Sequence, residues 1–169
     1  MNGRIALLAV ALLGVVLIAA TATYGSPDDR AVLEFDVMAP VSEPFTGATN
    51  TIRGVPGGGL PWELDAAKGE LRADGRLEVE VEGLVLARRA PVPEALRGTN
   101  PIASFKAIVS CLTAEAGAPA TVNISTSLAP ASPGGDAKIE DSVELPSPCF
   151  APILFVTSPG GAWFAVTGR

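Results

Sequence analysis

The sequence predicts an all-β domain, a sandwich (Ig-like or jelly-roll-like) or partly closed barrel of about seven to nine strands behind an N-terminal export signal. Three observations carry this. Glycine and proline together number 33 of 169 residues (18 + 15) and recur every few positions through the chain beyond the leader, which interrupts helices. Short β-branched runs lie between these turn residues, as in sandwiches and barrels. No window beyond the leader sustains apolar residues at spacings of three and four.

Taken in chain order, the first element is the leader. Arg4 precedes an apolar run from Ile5 to Ala20, and Ala20-Thr21-Ala22 supplies the small residues of a cleavage site. This order reads as a signal peptide over residues 1–22. Retained instead, the run would be a membrane anchor slightly under the usual spanning length. Cleavage leaves 169 − 22 = 147 residues, enough for one domain. A flexible segment is expected over 23–30 and a single all-β domain over 31–169.

Val32 to Val37 alternates, with Leu33, Phe35 and Val37 on one side and Glu34 and Asp36 on the other. Gly57-Gly58-Gly59 lacks the Lys-Ser/Thr of a phosphate loop, and reads as a hinge or tight crossover in a flexible break before Trp62. Ala73-Asp74-Gly75 predicts a hairpin loop with Gly75 left-handed. Its register sets Leu71 opposite Leu77, Glu70 opposite Glu78 and Arg72 opposite Arg76, relieved by the diagonals Arg72–Glu78 and Glu70–Arg76. The strand Leu77 to Leu86 turns Leu77, Val79, Val81 and Val85 inward, and Glu78, Glu80 and Glu82 toward water. Pro91 to Pro101 is a connection with one helical turn at Glu94–Arg97. Further strands are expected at 105–112, 121–127, 137–145, 153–157 and 163–167, the first of them central, with an exposed loop at 129–135. Pro146 and Pro148 suggest an edge or crossover.

Composition bounds the function. There is no histidine, which removes the commonest general base and the commonest zinc ligand. The mature chain holds 11 basic and 18 acidic residues, a formal charge of −7, against a nucleic-acid partner. Cys111 and Cys149 are the two cysteines, and in an exported chain they read as a disulfide closing a 38-residue loop. Cys111 shares parity with Phe105, Ala107 and Val109, and Cys149 with Val143 and Leu145, so both sulfurs are expected in the core.

Candidate chemistry is sparse. Glu78, Glu80 and Glu82 have the spacing of paired carboxylates in glycoside hydrolysis, but an acid among them needs a raised pKa and a pocket. Solubilising an exposed sheet face accounts for the row. Ser104 and Lys106 share a strand face, although a lysine base needs desolvation. Asp136, Glu140 and Asp141 lack a calcium-loop spacing, and no metal or cofactor is expected. Trp62 and Trp163 each follow a glycine-rich turn and are candidate ligand-binding aromatics, while a chain with nine aromatics also needs its tryptophans in the core. Asn123-Ile124-Ser125 is a glycosylation sequon, with Asn123 the acceptor.

The segments Gly54-Val55-Pro56-Gly57-Gly58-Gly59-Leu60-Pro61-Trp62, Ser104-Phe105-Lys106-Ala107-Ile108-Val109-Ser110-Cys111-Leu112 and Leu145-Pro146-Ser147-Pro148-Cys149-Phe150-Ala151-Pro152 resemble a group of bacterial exported proteins with no assigned activity. The resemblance implies export and lends no site residues. The expected function is a secreted non-catalytic module, binding an extracellular protein or polysaccharide or serving a structural role. The alternatives are a secreted hydrolase using paired carboxylates and, with the leader retained, a membrane-tethered surface domain.

Overall fold

The computed structural model describes residues 29–168. The leader, its cleavage site and most of the 23–30 segment lie outside them. Two antiparallel sheets pack face to face as a sandwich, not a closed barrel. The strands are β1 (Ala31–Phe35), β2 (Ala39–Pro40), β3 (Trp62–Glu63), β4 (Ala66–Arg72), β5 (Arg76–Glu82), β6 (Val85–Leu86), β7 (Ser104–Glu115), β8 (Ala118–Ser125), β9 (Ala129–Pro130), β10 (Ala137–Ser142), β11 (Phe150–Thr157) and β12 (Trp163–Val166). Eight of them have four residues or more; the other four are two-residue pairings that anchor the connections. The first sheet runs β1-β4-β5-β10 and the second β2-β12-β11-β7-β8, with β9 also on β7 and a separate β3-β6 ribbon.

Period-two burial builds the core. Leu71, Leu77, Val79, Val81 and Ile139 of the first sheet join Phe105, Ala107, Val109, Leu154 and Val156 of the second in one buried cluster. The β4–β5 hairpin has the expected register, with Leu71 opposite Leu77 and Glu70 opposite Glu78, and Gly75 at φ +88°. The expected diagonals do not form. Arg72 pairs instead with Glu70 along its own strand at 2.8 Å and with Asp29 at 3.6 Å, while Arg76 bonds Asp74 and Asp29. Asp29 and Arg30, expected in a flexible segment, are thereby held against the hairpin, where Arg30 O also accepts the Ala73 N–H.

Several boundaries differ from expectation for local reasons. The run Leu77–Leu86 breaks at Gly83, φ +65°, where a Cβ would lie 2.2 Å from Asp65 Oδ2 and the N–H donates to Asp136. Beyond the break, β6 leaves β5 and pairs with β3. Strand β1 ends at Phe35, and Val37, expected on the inward side, is 58% exposed. The 129–135 loop contributes β9, whose Ala129 and Pro130 face Phe105 and Ser104 of β7. Glu94–Leu96 forms the expected single turn, of 3-10 type.

Strand β7 is central and buried on both faces over residues 107–111. On its outer side Ile108 and Ser110 stand beside Phe155 and Ile153 of β11. The segment 41–61 covers this side. Phe45 packs on Trp163, with ring centroids 6.5 Å apart, and Arg53 Nη1 donates to Ser110 O at 2.9 Å. Gly57 and Gly58 close the covering segment as a packed crossover. A Cβ on Gly57 would sit 1.9 Å from Phe45 O, and the Gly58 N–H donates to Trp163 O.

Candidate functional site

The outer face of the first sheet concentrates the charged side chains of the expected carboxylate row. Register sets Lys68 of β4 and Lys138 of β10 on either side of Glu80, while Glu70 and Glu140 flank Glu78. Lys68 Nζ bonds Glu80 at 2.7 Å, and Lys138 Nζ reaches Glu78 at 2.8 Å, Glu140 at 2.9 Å and Glu80 at 3.8 Å. An open groove of about 560 Å³ runs beside this array, bounded by Glu34, Phe35 and Asp36 on the β1 side.

The electrostatics follow from the pairing. The hydrogen bond from Lys68 holds the Glu80 carboxyl below its ordinary range. Bonds to Glu140 and Glu78 raise Lys138, and Glu80 raises Lys68. A general acid needs the opposite shift, in a carboxyl removed from water. Period two made the glutamates legible. The two lysines were missed as their partners because pairing between β4, β5 and β10 sets that contact.

The remaining candidates separate. Asp136 Oδ1 accepts the Gly83 N–H at 3.0 Å and Oδ2 accepts Ser132 Oγ at 2.9 Å. Both bonds hold its carboxyl low. Asp141 accepts the N–H groups of Ser127 at 2.6 Å and Ser142 at 2.8 Å, with the same effect. Glu140 belongs to the Lys138 cluster. These three acidic residues thus serve three different local contacts, and no metal-holding group of three or more His, Cys, Asp or Glu occurs among the described residues. Ser104 faces Pro130 across β9, and Lys106 faces Thr157 across β11.

Both tryptophans are in the core. Trp62, 4% exposed, stacks on Phe164 with centroids 4.0 Å apart and meets Phe105 edge-on at 6.3 Å. Trp163, 2% exposed, lies between Phe45 and Phe155. Adjacent residues of β12 point to opposite faces, so the rings of Trp163 and Phe164 join different aromatic groups. Both therefore take the core role that the small number of aromatics calls for, and the loop-borne ligand contact is corrected: neither indole is at the surface. Close packing at Gly57 and Gly58 requires the glycines before Trp62, while before Trp163 it is the left-handed φ of +90° at Gly161 that does.

Cys111 and Cys149 form the expected disulfide, with Cα atoms 5.0 Å apart. Cys111 is fully buried and Cys149 half-buried against the core. Strand parity does not place Cys149. Strand β10 ends at Ser142, so Cys149 lies beyond the crossover, immediately before β11, where Phe150 stands opposite Leu112. Asn123 is exposed on β8, and its Nδ2 donates to Arg53 O at 3.0 Å. Among the described residues no helix is long and apolar enough to cross a membrane. In comparisons with family models, curated proteins and solved structures, none matches this chain.

Proposed function

We propose that the chain is an exported, non-catalytic sandwich module that binds an extracellular protein or polysaccharide, or builds an extracellular structure, at the cell surface or beyond it. The observation that carries the non-catalytic reading is the pairing of Glu78 and Glu80 with lysines on the carboxylate face. The regular glutamate array is interleaved with Lys68 and Lys138, and Glu80 is held ionised rather than kept as an acid. The disulfide supports export, since such bridges persist in oxidising compartments.

The test is to incubate the exported protein with a panel of cell-wall polysaccharides, measuring co-sedimentation and reducing ends together. Binding without new reducing ends is expected, unchanged in Glu80→Gln. Reducing ends released by the wild type and abolished in Glu80→Gln would establish the hydrolase instead. Mass spectrometry of the culture supernatant should find Thr23 at the N-terminus. An intact Met1 recovered only with membranes would establish the tethered form.

A further inference from the structure

Strand β8 closes one side of the second sheet, and among the described residues nothing pairs with its outer edge. The β7–β8 hairpin turns through Ala116 (φ +49°) and Gly117 (φ +81°), a two-residue loop of I′ type that makes Glu115 and Ala118 a hydrogen-bonded pair. Even-numbered residues of β8 therefore bond β7, and the Thr126 N–H continues the series by donating to Ala107 O. The N–H and C=O groups of Thr121, Asn123 and Ser125 point outward. Pro119, without an N–H, bounds this row at one end, and Asp141 occupies the Ser127 N–H at the other.

Edges of this kind are ordinarily protected by charge. The first sheet follows the rule, with Glu34 on β1 and Lys138, Glu140 and Asp141 on β10. Strand β8 does not. No charged residue occurs from Ala116 to Gly135, in a chain with formal net charge −6. Val122 and Ile124, turned toward the sandwich interior beside Cys111 and Val109, are only half-buried.

We propose that this edge pairs antiparallel with the same edge of a second copy, placing Asn123 on the two-fold axis. This register pairs Thr121 with Ser125 of the second copy, Asn123 with Asn123 and Ser125 with Thr121, and uses every free N–H in the row. It also sets Val122 against Ile124 of the second copy on the inner face, and no like charges meet. A single edge covers less area than a standard interface, so the dimer is weak, with a dissociation constant on the order of micromolar to sub-millimolar.

Sedimentation equilibrium on the exported protein, across about 1 µM to 1 mM, tests the proposal. Dimerisation is expected in the wild type. Thr121→Pro removes one N–H, an outward-facing one, and should lose the dimer while keeping the far-UV dichroism. Asn123→Cys should cross-link under mild oxidation, because hydrogen-bonded cross-strand pairs bring Cα atoms to about 5.5 Å. Thr121→Cys should not, its two copies lying four residues apart in register, about 14 Å. A wild type monomeric throughout, a dimer that survives Thr121→Pro, or a Thr121→Cys that cross-links better than Asn123→Cys would overturn the proposal. So would a glycan on Asn123 in the exported protein, since it would occupy the axis. Should Thr121→Pro fail to fold, the two cysteine variants decide alone.

Discussion

Reducing the Cys111–Cys149 bridge releases a loop of 38 residues. With that length the chain-entropy relation gives about 13 cal/mol/K of restored unfolded-state entropy, or about 4 kcal/mol at 25 °C. For the 140 described residues (168 − 29 + 1), an unfolding entropy near 2.1 cal/mol/K per residue converts this to a fall in Tm of about 13 °C. Such a loss is a large share of the roughly 5–15 kcal/mol that a domain commands. The bridge holds the end of the crossover to β7, so reduction also loosens the start of β11 while the rest of the core stays packed. Urea unfolding with and without reductant, followed by tryptophan fluorescence, reports the change directly because both indoles are buried. A thiol titration of the native protein accompanies it, and zero free thiols are expected. A reductant effect below about 1 kcal/mol would refute the loop-closure reasoning. Two titratable thiols in the native, unreduced protein would refute the bridge itself.

Gly57→Ala should destabilise the domain by about 2–4 kcal/mol, since its Cβ must displace the backbone at Phe45, whereas Gly59→Ala, opening onto free space, should stay within about 0.5 kcal/mol; denaturant midpoints of the two variants make the comparison. Acid should weaken the fold through Asp136, Asp141, Asp74 and Glu80, each held below its ordinary pKa by hydrogen bonds in the folded state. A depressed folded value means that their stabilisation is present above the unfolded pKa of about 4 and is lost as pH falls through the folded one. Thermal melts should therefore be flat from pH 7 to about 5 and fall below about 4; a melting temperature that rises on acidification would contradict this. Lys138→Glu should lower the melting temperature in low salt, with partial recovery as salt screens the carboxylates around it; equal losses at both salt levels would point to packing instead.

Period two, turn residues and the count of two cysteines determined a good deal by themselves. Val79 and Val81 must share a face because alternate strand residues do. Ala73-Asp74-Gly75 marks a hairpin loop because glycine tolerates the left-handed region, and Leu71 then falls opposite Leu77. The double-sided apolar character of 105–112 marked β7 as central, since only a strand covered on both faces loses alternation. What the tertiary structure alone decided are the contacts between residues distant along the chain. Lys68 and Lys138 reach Glu80 only once β4, β5 and β10 lie side by side. Trp62 is core because it packs on Phe105 and Phe164 inside the sandwich, and Trp163 because segment 41–61 folds over the outer side of the second sheet; local sequence around a glycine-rich turn does not say which cluster either ring joins. The break at Gly83 depends on Asp65 and Asp136, and the way Cys149 reaches Cys111 depends on a crossover that strand parity cannot follow. Local patterning sets which face a side chain takes; which elements meet across that face is settled by the collapse that buries them.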